Sequence, residues 1–213
     1  MAEDTATTDR YDRHARLYDR LIGNRVYNRV MWGTHPADYA AFAAEAVAAG
    51  DGPLLDAGCG TAVFTAAVYA TATRELVLVD RSGEMLRVAQ QRMNGAPARF
   101  VQGDLLALPF APGGFETVAC HGVLHVLDDP WAGLAALADQ VAPGGSLYAS
   151  MLVSDRGGIT PAYMRALHRR GEISTPRCED DLVAAARELF GDRARVTRTG
   201  AMAWLRADAA RVV

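Results

Sequence analysis

The chain has 213 residues, 50% of them hydrophobic, a formal net charge of −3, and 22 arginines but no lysine. This length suits one domain, and the weak negative charge argues against a nucleic acid partner. Without lysine, Schiff-base chemistry and P-loop phosphate binding are excluded. Three scattered cysteines predict neither a disulfide framework nor a cysteine metal site. No apolar run approaches the roughly 20 residues of a membrane span, so we expect a cytoplasmic protein without membrane contact.

The pattern of apolar residues predicts the elements in chain order. Between Tyr11 and Trp32 they recur at intervals of three and four, which indicates one or two amphipathic helices. Pro36 opens the next helix. Strands are then predicted at PLLDA, ELVLVD, ARFVQGD, ETVACHG and GGSLYASMLV, with helices between them. A final helix, EDDLVAAARELFG, precedes RARVTRTG and AMAWLRAD, which are expected to pair as an antiparallel hairpin.

This alternation predicts an α/β fold with a seven-stranded, mostly parallel, doubly wound sheet and a C-terminal antiparallel strand pair. The segment after the fifth strand is longer than the usual connection of about 2–6 residues, and it is predicted to hold a helix at about 161–170. We therefore divide a single domain, 1–213, into four parts: a helical N-terminal cap (1–35), a cofactor-binding core (36–154), a lid insert (155–177), and a C-terminal helix and strand pair (178–213).

The segment LLDAGCGTA, residues 54–62, joins the first strand to a predicted helix that begins near Thr61. Ligands of doubly wound sheets bind at the carboxyl ends of the strands, and Gly58 and Gly60 allow close approach of a ligand to the backbone. The dinucleotide fingerprint G-x-G-x-x-G fails at Val63. Asp56 would repel a pyrophosphate and attract an ammonium group. A nucleoside linked to an amino acid therefore fits better than a dinucleotide.

Two further acids follow the next two strands. Asp80 lies roughly 20 residues after the loop that contains Gly58 and Gly60, which we call the glycine loop. A carboxylate at this position suits ribose hydroxyls. Asp104 ends the third strand, where it can accept a hydrogen bond from an exocyclic amine such as that of adenine. Each acid alone could be a helix cap or turn residue. Their occurrence at successive strand ends favours a cofactor site over that reading.

The motifs LLDAGCGT, LVDRSGEML, VQGDLLALPF, FETVACHGVLHVLDDP and VAPGGSLYAS occur in this order within residues 54–150. In this order they resemble class I S-adenosylmethionine (SAM)-dependent methyltransferases, of the small-molecule type related to the ubiquinone/menaquinone-biosynthesis enzymes (methyltransferase type 11). The resemblance implies a Rossmann-like fold, SAM as cofactor and S-adenosylhomocysteine as product. The cofactor-binding residues that it implies are Tyr11, Tyr18, Asp56, Ala57, Gly58, Cys59, Gly60, Asp80, Arg81, Met85, Gly103, Asp104, Leu105, Cys120 and His121.

One position departs from the family pattern. The family loop often has a third glycine where this chain has Ala62. Alanine tolerates right-handed helical geometry well. We therefore expect Ala62 to sit in the first turn of the helix, where its methyl group lies beside the amino-acid tail of the cofactor and lowers cofactor affinity slightly without abolishing binding.

The candidate catalytic residues are His121 and His125, which flank the end of the fourth strand. His121 could act as a general base on a hydroxyl, thiol or amine, or it could only shape the pocket. His125 lies one helical turn later, where a structural role is favoured. No cluster of acids and histidines at ligand spacing indicates a metal.

The predicted function is SAM-dependent methylation of a small molecule, with a hydroxyl ahead of nitrogen, carbon or sulfur as the acceptor atom, in secondary or specialised metabolism. The acceptor would lie among aromatic residues at positions 11, 18, 27, 32 and 163. One alternative is a SAM-binding protein of the same fold that catalyses a non-methylating reaction. An NAD-dependent oxidoreductase is less favoured, and both monomer and homodimer stay open.

Overall fold

A computed structural model describes Asp19 and residues 21–210, which form an α/β fold around a seven-stranded sheet. The strands are β1 (Leu54–Ala57), β2 (Leu76–Asp80), β3 (Arg99–Gln102), β4 (Phe115–Cys120), β5 (Val141–Leu152), β6 (Ala194–Thr199) and β7 (Met202–Asp208). The helices are α1 (Arg25–Tyr27), which continues into a π-helix (Asn28–Trp32), α2 (Pro36–Ala48), α3 (Ala66–Tyr69), α4 (Gly83–Met93), α5 (Pro130–Gln140), α6 (Thr160–Arg169) and α7 (Glu179–Phe190).

The strand order is β3-β2-β1-β4-β5-β7-β6. The first five strands run parallel, while β7 is antiparallel to both β5 and β6. The predicted doubly wound sheet with a C-terminal antiparallel pair is therefore confirmed. β1 and β4 are adjacent in the sheet. β2 and β3 follow on the side of β1, and β5, β7 and β6 follow on the side of β4. The carboxyl ends of β1 and β4 are thus neighbours at the switch point, where ligands of such sheets bind.

Both faces of the sheet are covered, and the alternation of side chains decides which layer each residue meets. Leu55 and Ala57 of β1 lie in the core with α5 and α7. Leu54 and Leu78 lie in the opposite core with α2, α3 and α4. Asp56, between Leu55 and Ala57, therefore faces the layer that contains α3.

Local sequence signals explain the helix boundaries. The Ser82 hydroxyl accepts a hydrogen bond from the amide of Met85 (3.1 Å) and caps α4. Asp129 accepts from two amides at the start of α5 (both 3.0 Å). Gly191, with φ of +60°, ends α7. The helix of the long insert, α6, begins within one residue of the predicted start.

The predicted helix start near Thr61 and the right-handed geometry of Ala62 are both wrong. The helix after the glycine loop begins at Ala66 and has four residues. Ala62 has φ of +52°, after Gly58 at +79° and Gly60 at +53°. The loop uses three left-handed residues before the helix, and the alanine costs roughly 1–2 kcal/mol relative to a relaxed backbone. Its side chain is buried in the core beside α2 and α4, which offsets part of this cost.

The helical segment Arg25–Trp32 lies inside the predicted N-terminal cap. The rest of that cap, apart from Asp19 and residues 21–24 and 33–35, lies outside the described residues. Within the described part of the chain, every helix is too short or too polar to cross a membrane.

Candidate functional site

The glycine loop after β1 is tied to the end of β2. The amides of Gly58 and Cys59 donate to the carbonyl of Val79, at 2.7 and 3.0 Å. The amide of Gly60 donates to Asp80 Oδ2 at 2.8 Å. The predicted ribose acid and the predicted glycine loop are therefore in direct contact.

Two glycines in this loop have different steric surroundings. A Cβ on Gly58 would lie 2.6 Å from a methyl of Val123, in the segment after β4. With φ of +79° as well, this position excludes a side chain. A Cβ on Gly60 would meet nothing within 4 Å. The loop therefore packs against the β4 segment at Gly58 and has open space beside Gly60.

Asp56 is a buried carboxylate beside the loop, with 1% of its surface exposed. The Tyr69 hydroxyl donates to Oδ2 at 2.9 Å. Oδ1 is buried and has no hydrogen-bond partner among the described residues. Burial raises the pKa of Asp56 to about 7. An unpartnered buried carboxylate oxygen is costly, and a cationic ligand group would remove that cost.

Asp80 accepts hydrogen bonds at both oxygens, from Ser82 N (2.9 Å) and from Gly60 N. Burial raises its pKa in spite of these bonds. Each oxygen keeps a further lone pair for a hydroxyl ligand. The next residue, Arg81, accepts at its carbonyl from the Gln102 side chain (2.9 Å). Met85, predicted near adenine, is buried behind this turn.

The third predicted motif follows β3. The amide of Gly103 donates to the carbonyl of Asp80 at 3.0 Å, so this turn lies next to the β2 end. Asp104 is exposed, and its Oδ1 accepts from Leu106 N at 2.9 Å. Leu105 is buried at 7% exposure. Asp104 thus shapes a 3-10 turn at the correct edge of the sheet, and its contact with adenine stays a prediction.

His121 follows β4 directly, after the fully buried Cys120. Both ring nitrogens of His121 are buried and have no hydrogen-bond partner in the described part of the chain. The ring of Phe42 on α2 meets it edge-on, with 5.7 Å between centroids. Burial lowers the pKa of His121 to about 4. The imidazole is therefore neutral near pH 7 and has a free lone pair.

His125 has structural contacts. Its Nδ1 accepts from the amide of Leu152 at 3.3 Å, and its carbonyl accepts from the amide of Ser174 at 2.8 Å. Burial lowers its pKa to about 4 as well. These bonds join the β4 segment to β5 and to the end of the insert, which supports the structural role. A catalytic role for His125 stays an untested prediction.

Comparison with known proteins finds a family whose model matches the part of the chain that contains this site. The family model described as "Methyltransferase domain" matches residues 55–149, which include the glycine loop, Asp80, Asp104 and His121. The matched part of the chain, residues 55–149, is a methyltransferase domain.

Curated relatives of this chain include an uncharacterised protein of Synechococcus sp., 42% identical over 123 residues, which are 55% of this chain and 30% of the relative. A 2-phytyl-1,4-naphtoquinone methyltransferase of Thermosynechococcus vestitus is 31% identical over 63% of this chain and 59% of its own. The chain therefore spans 30% of the first relative and 59% of the second. A SAM-dependent methyltransferase structure from Thermotoga maritima has a TM-score of 0.66 at 14% identity, over 93% and 97% of the two chains, and shows the same fold.

The cofactor of the domain is SAM, and the site residues fit it on structural grounds. The unpartnered Asp56 oxygen offers a buried negative charge for an ammonium group. Asp80 lies in contact with the loop that would support the ribose. The open side of Gly60 leaves room for a ligand against the backbone. Among the described residues, no group of three or more His, Cys, Asp or Glu could hold a metal ion.

Sequence reasoning missed a second group of residues at the loop. Thr61 donates from its hydroxyl to Asp19 Oδ1, and Arg92 of α4 bonds both Asp19 Oδ2 (2.7 Å) and the Thr61 carbonyl (2.8 Å). A buried acid in the N-terminal segment thereby fixes the loop. The neighbouring predictions, Tyr11 and Tyr18, lie outside the described residues.

Three of the aromatic residues that were predicted to surround the acceptor lie in contact with one another. Trp32 lies 6.1 Å from Tyr27 and 5.4 Å from Tyr163, measured between ring centroids. The hydroxyls of Tyr27 and Tyr163 are 3.1 Å apart. The N-terminal segment and the insert therefore share one aromatic surface.

Proposed function

We propose that this protein transfers the methyl group of SAM to a small-molecule acceptor and that the acceptor atom is a hydroxyl oxygen. The choice of atom rests on His121, whose buried ring nitrogens have no partner among the described residues. Leaving such a group unsatisfied costs about 1–3 kcal/mol. An acceptor hydroxyl would supply the missing hydrogen bond.

The cofactor roles follow from the strand ends. Asp80 would bind the ribose hydroxyls, Asp56 the ammonium group, and Asp104 the adenine amine. Gly60 would leave room for the amino-acid tail. Bound there, SAM supplies a methyl group activated by its sulfonium charge. The contribution of the chain is orientation and exclusion of water, which for such displacements accounts for much of the rate.

His121 would hold and accept the acceptor proton. Because burial lowers its pKa to about 4, the ring is neutral at pH 7 and takes the hydroxyl proton at an imidazole nitrogen. A base of such low pKa accepts a proton only weakly. This favours an acceptor whose hydroxyl is already acidic, such as a phenol or hydroquinone, over an aliphatic alcohol.

The aromatic surface supports a small, partly apolar acceptor. The half-buried Tyr27 and Tyr163 pack against the buried Trp32, and the exposed parts of these two tyrosine rings suit a planar molecule. The similarity to a methyltransferase whose name gives a naphthoquinone acceptor supports the same class. The net charge of −3 favours a small molecule over a nucleic acid.

The test is a panel of phenols and hydroquinones incubated with protein and SAM. Release of S-adenosylhomocysteine and a product heavier by one methylene are expected. His121→Asn should lower kcat by roughly 100-fold or more, and its SAM affinity, measured alongside, separates loss of the base from loss of cofactor binding. His125→Asn is the matched control, since its Oδ1 can replace Nδ1 as acceptor, and its kcat should stay close to wild type. Release of S-adenosylhomocysteine or another cofactor product without a methylated acceptor would contradict methyl transfer.

A further inference from the structure

The hydroxyl of Tyr69 is the hydrogen-bond partner of Asp56, and none of the sequence motifs includes this tyrosine. We infer that Tyr69 is a positioning residue for SAM: its hydroxyl occupies one oxygen of Asp56 and keeps the other oxygen for the ammonium group of the cofactor. The inference rests on the proposed cofactor site, and it adds the residue that prepares the carboxylate.

The geometry of the pair is well defined by packing. Tyr69 is the last residue of α3 and is 1% exposed, as is Asp56. The tyrosine ring packs in the core with Leu54 and Leu78 on the same face of the sheet. The hydroxyl therefore has little freedom, and its bond to Oδ2 (2.9 Å) fixes the plane of the carboxylate. Oδ1 is then the one oxygen left without a partner among the described residues.

This bond sets the charge of Asp56 as well as its orientation. Burial raises the pKa of Asp56 to about 7, and the Tyr69 hydroxyl opposes that rise because it stabilises the ionised form. Since an ammonium group is attracted by the ionised carboxylate, affinity for the amino-acid tail must fall as the pH drops through this pKa. Removal of the hydroxyl raises the pKa further and moves that loss of affinity to higher pH.

Among the residues that the structure describes, three other titratable groups face Asp56. Cys59 lies in the glycine loop and Cys120 at the end of β4, and burial raises the pKa of both thiols well above their ordinary value, so they are neutral near pH 7. Asp80, at the end of β2, raises the pKa of Asp56 through its charge and has a raised pKa of its own. Its effect on ligand binding must therefore be measured separately.

The experiment is calorimetric titration of wild type and Tyr69→Phe with two ligands, from about pH 6 to pH 8.5. S-adenosylhomocysteine keeps the ammonium group and cannot donate a methyl group. 5′-Methylthioadenosine keeps the adenosine and lacks the amino-acid tail, so its pH profile reports Asp80 and the state of the fold. The ratio of the two affinities isolates Asp56.

In wild type, the ratio should fall as the pH drops through about 7. In Tyr69→Phe, the midpoint of this fall should move up by about one pH unit, which makes the ratio at pH 7 roughly fivefold lower. The two proteins should converge at the alkaline end. Superimposed profiles, or an equal loss for both ligands at every pH, would overturn the positioning role. Failure of wild type to bind S-adenosylhomocysteine would overturn the cofactor site itself.

A matched control and a second variant complete the test. Tyr148→Phe removes the same atom from a half-buried tyrosine of β5 and should leave the profile unchanged. If Tyr69→Phe does not fold, Tyr69→Met removes the same hydroxyl and introduces a side chain that adapts to irregular gaps. It should give the same upward shift, and a wild-type profile in this variant would overturn the inference.

Discussion

At the scale of single residues, the charge of Asp56 opposes folding of the ligand-free protein. Its pKa is about 7 in the folded state and about 3.9 in an unfolded chain. Near pH 5 the folded state therefore binds a proton that the unfolded state has mostly lost. That stabilisation disappears as the pH rises through 7, so the free energy of unfolding falls with increasing pH.

Asp56→Asn removes this titration. Between pH 5 and pH 8, the wild type should lose roughly 2–3 kcal/mol of unfolding free energy relative to the variant. Urea denaturation of both proteins without ligand measures the difference, and groups common to both cancel. The variant should also lose affinity for S-adenosylhomocysteine. The exposed Asp51→Asn is the control, and parallel curves for wild type and Asp56→Asn would contradict the prediction.

The same scale shows what the sequence could predict about the site. Asp56 and Asp80 were predictable because strand ends of a parallel sheet share one edge, and Asp80 accepts a hydrogen bond from Gly60 in the loop that follows Asp56. Ala62 was not predictable, because its left-handed backbone arises from the path of the loop and not from a preference of alanine. The role of Tyr69 could not be predicted for another reason: its contact with Asp56 depends on where a four-residue helix ends.

At the scale of elements, Arg74 joins three of them at the opposite, amino-terminal edge of the sheet. Its guanidinium donates to the carbonyls of Gly52 (2.6 Å) and Val47 (3.1 Å) and to the Thr117 hydroxyl (3.0 Å). The side chain is buried, and Glu116 lies 3.4 Å away. One planar side chain thus donates hydrogen bonds to acceptors in three places: the end of α2, the turn before β1, and β4.

Arg74→Met should lower the free energy of unfolding by roughly 2–4 kcal/mol, because buried acceptors lose their donor. The loss appears as a lower urea midpoint. Affinity for S-adenosylhomocysteine should stay at the wild-type value, since the cofactor residues lie at the other edge. Arg87→Met, which breaks an exposed pair with Glu84, should leave the midpoint nearly unchanged. A weaker ligand affinity in folded Arg74→Met would contradict this separation.

The elements themselves were largely predictable, since buried apolar strands and capped helices have strong local signals. All seven strands lie where the pattern of apolar residues placed them. The helix after β1 was the exception: its predicted start was five residues early. The loop there is held by contacts remote in sequence, from Val79, Asp80 and Arg92, which a local pattern does not reveal.

At the scale of the whole molecule, the N-terminal segment and the insert are joined by Arg156. Its Nη1 donates to the carbonyls of Val30 (3.0 Å) and Met31 (3.1 Å) and to the Thr160 hydroxyl (2.7 Å). That hydroxyl donates in turn to Met31 (2.7 Å). The two segments also share the Tyr27–Tyr163 contact. We therefore expect them to open and close together, as one cover over the acceptor side of the site.

Arg156→Met tests this coupling, because it removes the donor that both segments share. In hydrogen–deuterium exchange, the amides of the π-helix and of α6 should exchange faster together, while those of β1 to β5 stay protected. The KM for the acceptor should rise, and the affinity for S-adenosylhomocysteine should not change, because the contacts of Asp56 and Asp80 are untouched. Arg165→Met, on the exposed side of α6, should alter neither quantity. Faster exchange in only one of the two segments would contradict this prediction. It would show that the π-helix and α6 move independently and do not form one cover.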